Sequence, residues 1–281
     1  MYREMYGRTY MLDQTTVPSS IDDINEMAYE GASIHEVIDE LKVYPEEEQP
    51  VLIIIGGRSG CGKSTTSLRL ANDMGAINLS ADARRKALFG CDVHEKLDAQ
   101  YYIMPPKDEQ GHAMEGSPDY VQEHRENFHD EIEQVLYAGK SVVVDMPSTN
   151  YLSRKEFEDI AERCGAKFSG VFLDVPRDVA ESRIIERAEA GPDASDMTAQ
   201  VFNKIEDRND RILIDRNKEA IERGRELKDD LIHPSTDEAS WTMIDGTMRP
   251  QDVYGQVVAK IEIQLERELV PTPEMDELER A

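Results

Sequence analysis

One motif constrains the fold of this 281-residue chain more than any other feature. The aliphatic run 51–55 is followed by a glycine-rich stretch in which the pattern GxxxxGK[ST] begins at Gly57 and ends at Ser64. A continuous aliphatic run is typical of a strand that is buried on both faces, as in a parallel sheet. Glycines after such a strand let backbone N–H groups curl around a phosphate at the start of a helix. The motif therefore predicts a nucleotide-phosphate site between a buried strand and a helix.

The loop residues have predicted roles in binding ATP and Mg²⁺. Lys63 is expected to place a positive charge between the β- and γ-phosphates, the Ser64 hydroxyl to bind Mg²⁺, and Thr65 to reach the α-phosphate. Cys61 is expected to be a small loop residue, because nothing in the sequence indicates a lowered thiol pKa. The predicted nucleotide-binding residues are Gly57, Arg58, Ser59, Gly60, Cys61, Gly62, Lys63, Ser64 and Thr65.

Strands and helices alternate after this loop, which predicts an α/β fold with a five-stranded parallel sheet sandwiched by helices. Ahead of the sheet, Ser20 is the predicted N-cap of a first helix and Asp23 its N3 carboxylate. This N-terminal helical extension is interpreted as a packing arm or a contact in a homo-oligomer. The predicted divisions are the extension 1–48, the domain 49–268 with a helical lid at about 177–200, and an acidic tail 269–281.

Two of the predicted strands lead into a carboxylate. Asp82 follows the second strand and Asp145 ends the third. Ligands of a parallel sheet gather at the carboxyl ends of its strands, so both acids are expected near the phosphates. Asp82 can accept a proton from an acceptor hydroxyl or orient it, although capping of the next helix is an alternative. Arg85 lies three residues further along that helix, on the same side, where it could hold an anionic acceptor group.

A second pair of charged residues lies on a later helix. Arg183 and Arg187 are four residues apart, so they share a helix face. Two guanidinium groups that converge on the triphosphate would neutralise the charge that develops during transfer. The alternative is a solvated face, on which the two arginines pair with Glu181, Glu186 and Glu189. The phosphate loop favours the first interpretation.

Together these motifs resemble the P-loop predicted-kinase family related to polynucleotide kinase and zeta toxin. That family reads GxSGSGKST after a strand, then S-x-D-x-x-R, then VVVDAT with an Arg about nine residues on, then LD-x-P, R-x-x-x-R and D-x-SD. The corresponding segments here are 57–65, 80–85, 142–145 with Arg154, 173–176, 183–187 and 193–196. The match covers about residues 50–205, with a closing strand and helix to about 265.

The resemblance implies a P-loop NTPase fold and an ATP-dependent kinase, which with Mg²⁺ moves the γ-phosphoryl group to a hydroxyl. It also implies that Asp82 is the acceptor-side base, that Arg85 contacts the acceptor, and that Arg183 and Arg187 are lid arginines. The expected catalytic residues are Lys63, Asp82, Arg183 and Arg187.

The segment after the third strand is also expected to contribute to the acceptor site. Asn150 and Arg154 lie there and, with Arg85 and Asp145, are the predicted substrate contacts, although ordinary loop chemistry is the alternative. Asp145 is in addition a candidate ligand of Mg²⁺ beside Ser64. Residues 146–148 read Met-Pro-Ser where the family often has Ala-Thr, so the resemblance is weaker here.

The charge balance bears on the acceptor. The chain has 58 acidic and 32 basic residues, a formal charge of −26, which repels phosphate backbones and anionic lipids. A small polar or anionic hydroxyl-bearing metabolite or nucleoside is therefore the predicted acceptor. Tyr101, Tyr102, Tyr120 and His124 could stack on it or bond to it, or simply pack.

Two other functions stay open. A kinase that acts on a nucleic-acid hydroxyl, either a polynucleotide 5′-OH or a modified base, is the first, because local arginine clusters can override net charge. The second is a non-catalytic nucleotide-binding regulator or a zeta-toxin-like protein. Asp82 argues against a mere sensor, which needs no acceptor base.

The sequence also bears on location. The N-terminal stretch lacks an apolar signal core, and the longest aliphatic run, 51–55, is too short to span a bilayer. The expectation is a cytoplasmic protein with no membrane partner. The three cysteines are far apart, and their spacing suggests neither a zinc site nor a disulfide framework.

Overall fold

The computed structural model describes residues 20–44, 46–47, 49–102, 118–148, 151–191, 195–222, 233–234 and 238–266. The predicted acidic tail at 269–281, Asn150 and most of the predicted loop 104–118 lie outside the described residues.

A single sheet of five parallel strands forms the centre of the fold, as predicted. The strands are β1 Val51–Gly56, β2 Ile77–Ser80, β3 Val142–Asp145, β4 Lys167–Asp174 and β5 Trp241–Asp245. Their order across the sheet is β2-β3-β1-β4-β5. In the register, Asp145 of β3 pairs with Ile55 of β1 on one side and with Ser80 of β2 on the other. The segments that follow β1, β2 and β3 therefore begin next to each other.

Helices cover both faces of the sheet. They are α1 Ile21–Glu30, α2 Ile34–Glu40, α3 Lys63–Met74, α4 Ala81–Leu88, α5 Tyr120–Tyr137, α6 Tyr151–Arg163, α7 Arg177–Ala190, α8 Ala199–Glu222 and α9 Pro250–Leu265. Leu52 and Ile54 of β1 belong to a core with α1, α2, α5 and α6, whereas Val51, Ile53 and Ile55 belong to a second core with α3 and α9. This alternation is why the β1 run is aliphatic throughout. Within the described ranges, no helix is both long enough and apolar enough to cross a membrane.

Helix α4 begins earlier than the sequence suggested. The sequence predicts a helix over 83–89, but the helix begins at Ala81, directly after β2, with Ser80 in the N-cap position. Asp82 therefore lies inside the first turn and is not the cap, so the capping alternative is wrong. A carboxylate in the first turn is still favoured by the helix dipole.

The N-terminal helix is attached to the edge of the sheet by a buried amide. The predicted capping box of α1, formed by Ser20 and Asp23, is confirmed. Fully buried Asn25 accepts a hydrogen bond from the Asn78 backbone N–H of edge strand β2 at 2.8 Å and donates to the Ala76 carbonyl at 3.1 Å. Helix α1 thus satisfies backbone groups on the outer edge of β2, where unpaired groups would otherwise be exposed.

A buried arginine makes a second attachment for the same region. Arg84 of α4 donates from Nη1 to the carbonyls of Ala28 at 3.1 Å and Ala32 at 2.7 Å. Its Nε and Nη2 bind both carboxylate oxygens of Glu131 on α5 at 2.9 and 2.8 Å. One guanidinium group therefore joins the end of α1 to α4 and α5.

Arg154 of α6 makes a similar buried attachment near the end of β3. Its Nε and Nη2 bind both carboxylate oxygens of Glu238 at 2.7 and 2.9 Å, and none of its surface is exposed. Its Nη1 donates to the Ser148 carbonyl at 3.2 Å. The neighbouring Pro147 carbonyl accepts from the Gly57 N–H at 2.9 Å, so the segment after β3 is fixed against the glycine-rich loop.

Replacement of Asn25 by Ala should lower the free energy of unfolding by about 2–3 kcal/mol, because the Asn78 N–H and the Ala76 carbonyl would lose a buried partner. Urea denaturation followed by circular dichroism measures the change. Glu26→Ala is the matched control, since Glu26 is exposed on the same helix. Equal midpoints for the two variants would contradict the proposed edge attachment.

Replacement of Arg154 by Met should destabilise the fold by about 3–5 kcal/mol, because the Glu238 carboxylate would be left buried without its counter-ion. The double variant Arg154→Met/Glu238→Leu should recover most of that loss. Arg163→Met is the control, because Arg163, on the same helix as Arg154, pairs with Glu133 of α5 at the surface, where an ion pair contributes at most about 1 kcal/mol. If Arg154→Met alone had wild-type stability in urea, the pair would not be structural.

Candidate active site

The glycine-rich loop is packed against the end of β4 and against α7. Gly57 has φ 132° and Gly60 has φ 82°, both in the region that favours glycine. A Cβ atom on Gly57 would lie 2.5 Å from the Leu173 carbonyl oxygen, and one on Gly60 would lie 2.5 Å from the Ala180 carbonyl oxygen. A side chain at either position would clash with these carbonyl oxygens. Glycine is therefore required where the loop backbone passes closest to β4 and α7.

The start of α3 presents the polar groups expected for phosphate binding. Lys63 is buried, and its Nζ donates to the Arg58 carbonyl at 3.1 Å, so the side chain lies back across the loop. Ser64 and Thr65 are exposed in the first turn. Free backbone N–H groups at a helix start favour an anion, which suits the phosphates of a nucleotide.

Asp145 at the end of β3 completes a site that suits Mg²⁺. Burial raises the pKa of Asp145, while the charge of Lys63 and a hydrogen bond from the Ser64 hydroxyl oppose that rise. Hydroxyl and carboxylate oxygens are the ligands that Mg²⁺ prefers. Within the described part of the chain, no group of three or more His, Cys, Asp or Glu side chains could hold a metal. A Mg²⁺ ion here would therefore take its other ligands from phosphate oxygens and water.

A cleft of about 320 Å³ brings the predicted catalytic side chains together. It lies above the carboxyl ends of β1, β2 and β3, as expected for a parallel sheet. Residues from the loop, β2, α4, β3 and α7 line it, as does one from the segment before α8. These are Ser59, Gly60, Gly62, Lys63, Ser64, Thr65, Ser80, Ala81, Asp82, Asp145, Met146, Pro147, Arg183, Arg187 and Ser195.

The two arginines of α7 face this cleft. Arg183 donates from Nη1 to the Gly60 carbonyl at 3.4 Å and from Nη2 to the Gly246 carbonyl at 3.0 Å. Arg187, one turn later, also lines the cleft. Arg183 therefore binds backbone oxygens of the glycine-rich loop and of the turn after β5. This position favours the interpretation in which both arginines converge on the triphosphate over the one in which they form a solvated face.

Arg85 lies beside Asp82 on the wall formed by α4. Its Nη1 is 3.4 Å from the Asp82 carboxylate, and its Nη2 is 3.4 Å from His124 Nδ1. Its guanidinium group also lies over the Tyr102 ring, 4.7 Å from the ring centre. Burial and then the Arg85 charge lower the pKa of His124 to about 3, so the ring is neutral at pH 7 and can accept a hydrogen bond. Sequence reasoning gave no reason to expect that His124 would meet Arg85.

Tyr101 and Tyr120, the two other tyrosines of this region, pack on each other and on Phe89. Tyr101 stacks on Phe89 at 4.4 Å between ring centres and lies 4.7 Å from Tyr120. Tyr120 makes an edge contact with Phe89 at 5.4 Å. Packing thus accounts for Tyr101 and Tyr120, and of the three tyrosines only Tyr102 contacts a side chain next to the cleft.

Besides Arg85, which lies beside Asp82 but does not itself line the cleft, three predicted site residues do not reach the cleft through their side chains. Arg154 is enclosed in its pair with Glu238, and this geometry does not support an acceptor contact. Arg58 points toward α8, with Nη1 3.4 Å from Glu206. Cys61 is buried beneath the loop, and burial raises the pKa of its thiol, which agrees with a small packing residue. Asn150, as noted, is outside the described residues.

Two lining residues that had no predicted role were nevertheless part of recognisable motifs. Ser80 and Ser195 both belong to quoted motifs, S-x-D-x-x-R and D-x-SD, and both line the cleft. Their proximity to the cleft could have been predicted from the motif positions alone.

Comparisons with known proteins find a family match and similar solved structures. Residues 52–212 match a family model described as an AAA domain. No functionally curated protein matches the chain. Among solved structures, it is similar to a gluconokinase from Sinorhizobium meliloti 1021, with 14% identity, a TM-score of 0.44, and 76% of this chain and 97% of that chain covered.

Two further structures are similar at the same level. One is shikimate kinase from Bacteroides thetaiotaomicron, with 16% identity, a TM-score of 0.42, and 77% and 98% of the two chains covered. The other is a chain of the Pnkp1/Rnl/Hen1 RNA repair complex, with 18% identity, a TM-score of 0.42, and 58% and 44% covered. Identities this low say nothing about the acceptor. The family model, in contrast, covers more than half of the chain, so the chain belongs to this AAA domain family of P-loop kinases, and the resemblance of its motifs is confirmed.

Proposed function

We propose that the protein transfers the γ-phosphoryl group of ATP, bound with Mg²⁺, to a hydroxyl group of a small molecule. One observation carries this proposal: a single cleft is lined by Lys63 and Ser64 of the phosphate loop, by Arg187, and by the Asp82 carboxylate on the facing wall. A phosphate loop alone would also serve a nucleotide-binding regulator. A carboxylate that faces the same cleft supports an acceptor hydroxyl as the group that receives the phosphate.

The loop, α3 and α7 would hold the nucleotide. Backbone N–H groups of the loop and the Lys63 ammonium group bind the phosphates, and Arg183 and Arg187 stabilise negative charge on the transferred group. Ser64 and Asp145 would hold Mg²⁺, which when bound neutralises charge on the phosphate oxygens. These groups are fixed before the reaction, so little reorganisation is needed as charge develops.

The α4 wall would receive the acceptor. The hydroxyl oxygen forms a bond to the γ-phosphorus, the bond from that phosphorus to the bridging oxygen breaks, and ADP leaves with the electron pair. Asp82 accepts the hydroxyl proton. Arg85, 3.4 Å from Asp82, orients that carboxylate and offers a charge for one anionic group of the acceptor. The formal charge of −26 supports a compact acceptor over a long nucleic acid, whose binding draws on contacts with many phosphates.

Replacement of Lys63 by Ala should reduce phosphoryl transfer by about 10²–10³-fold, because a charge that stabilises the transferred group is lost. Release of labelled phosphate from γ-labelled ATP measures this without a known acceptor. Lys155→Ala, which removes an exposed lysine of α6, is the control. Turnover near the wild-type rate in Lys63→Ala would refute the assignment of the loop.

Replacement of Asp82 by Asn should lower kcat by about 10²–10⁴-fold while the affinity for ATP stays the same, because Asp82 faces the acceptor and not the base of the nucleotide. A panel of sugars, polyols, nucleosides and oligonucleotides, assayed with γ-labelled ATP at two salt concentrations, would identify the acceptor. Transfer to the oligonucleotide alone, with strong salt dependence, would favour the nucleic-acid kinase instead. Loss of ATP binding in Asp82→Asn would contradict the role given to this residue.

A further inference from the structure

A second carboxylate lies outside the cleft and contacts α4 and the segment that follows it. Asp196 follows Ser195, which lines the cleft. Its Oδ2 accepts hydrogen bonds from the Leu97 backbone N–H at 2.9 Å and from the Tyr102 hydroxyl at 2.8 Å. Its Oδ1 lies 3.2 Å from Lys86 Nζ. One side chain next to the cleft is thus bound at three points to the region between β2 and α5.

The burial of Lys86 strengthens its ion pair with Asp196. Lys86 belongs to α4, one residue after Arg85, and its side chain is 1% exposed. Its Nζ also donates to the Val93 carbonyl at 3.0 Å. A buried ammonium group without a counter-ion is costly, so Lys86 and Asp196 hold each other in place. Because Lys86 is four residues after Asp82, this pair sets the position of the helix that carries the acceptor-side carboxylate.

Tyr102 connects Asp196 to the acceptor wall by a second route. Burial, followed by the hydrogen bond to Asp196, raises the pKa of the Tyr102 hydroxyl, which therefore stays protonated and donates. The Arg85 guanidinium group lies over the same ring, and Arg85 is next to Asp82. The contacts run without a gap from Asp196 through Tyr102 and Arg85 to Asp82.

The residue after Asp196 faces the other way. Met197 packs against a small core formed by Ala180 and Ile184 of α7 and Phe202 of α8. Ile184 lies between the two arginines that face the cleft. Adjacent residues 196 and 197 therefore contact opposite walls of the site, α4 through the carboxylate and α7 through the thioether side chain.

We propose that Asp196 is a positioning residue that couples the α7 arginines to the acceptor wall, so that Arg187 and Asp82 reach the transferred phosphoryl group together. The proposal rests on the function proposed above. It implies that a nucleotide held by α7 also orders α4, and that this transmission depends on the contacts of Asp196. Binding of ATP would in this way prepare the acceptor side before the acceptor arrives.

Hydrogen exchange measured by mass spectrometry tests the coupling without a known acceptor. The probe is a non-hydrolysable ATP analogue with Mg²⁺, and the readouts are the protection of 81–88 and of 177–190. In the wild type, the probe should protect both segments. Tyr102→Phe keeps the ring beneath Arg85 and removes only the hydroxyl, so it should lower the added protection of 81–88 by about tenfold, as expected for loss of a hydrogen bond to a charged group. Protection of 177–190 should be unchanged.

Two further variants sharpen the test. Asp196→Asn removes the charge that faces Lys86 and should lower the protection of 81–88 more than Tyr102→Phe does. Tyr101→Phe is the matched control, because its hydroxyl has no hydrogen-bond partner among the described residues; both segments should keep wild-type protection. ATP hydrolysis adds a kinetic readout: kcat per folded enzyme, with the folded fraction determined by circular dichroism, should fall in Tyr102→Phe while KM for ATP stays the same.

Each remaining outcome decides against the coupling. Wild-type protection of 81–88 in Tyr102→Phe would overturn it, even if Asp196→Asn failed to fold. If the probe protected 177–190 alone in the wild-type protein, the coupling would fail while the nucleotide site stood. If it protected neither segment, the proposed function would fail as well.

Discussion

The pairing of β3 between β2 and β1 is the constraint on which the site depends. Asp145 is in register with Ile55 on one side and Ser80 on the other. The glycine-rich loop leaves β1 one residue after Ile55, and α4 leaves β2 directly after Ser80. The segments that follow β1 and β2, although up to about 90 residues from Asp145 in sequence, therefore each begin one strand spacing from the end of β3. A shift of β3 by one residue would turn the Asp145 side chain to the other face of the sheet.

Buried basic side chains hold the segments that leave these strands. Arg84 and Arg154 each bind both oxygens of a glutamate and at least one backbone carbonyl, and Lys86 binds an aspartate and a carbonyl. All three are almost completely enclosed. At least three of the 32 basic side chains of this acidic chain thus act inside the fold and not at its surface. A guanidinium group has a rigid planar geometry with five donors, and an ammonium group has three donors, so each can bind several acceptors at once and order the segments around it.

Local patterns predicted well those features that local sequence determines. The helix Lys63–Met74 and the capping box of α1 were read directly, because a glycine-rich turn and a Ser-x-x-Asp pattern act within a few residues. The sheet was predicted because continuous aliphatic runs indicate strands that are buried on both faces. The position of Asp82 near the phosphate loop was predicted from the rule that parallel strands gather ligands at their carboxyl ends. Lys63 was predicted from the loop motif, and Arg183 and Arg187 from their four-residue spacing and the family resemblance.

Two of the misses share a physical cause, which is a partner distant in sequence. Arg154 was expected at the acceptor, yet its carboxylate partner is Glu238, 84 residues away. No feature of the sequence near Arg154 indicates this pairing. Arg58 binds Glu206 for the same reason. The start of α4 was predicted two residues too late for a different reason: no loop separates β2 from α4, so the sequence shows no change of composition where the helix begins.

The packing contacts of α1 also bear on the order in which the chain folds during synthesis. This helix is synthesised before the sheet, yet its contacts are with Ala76, Asn78 and Arg84, and Arg84 is itself held by Glu131. A helix of ten residues is marginal in water without tertiary contacts. On the ribosome, α1 therefore has no stable place until nearly half of the chain has emerged. Helix α1 thus waits for elements that are synthesised after it, and for that interval its apolar face is open to chaperones and proteases.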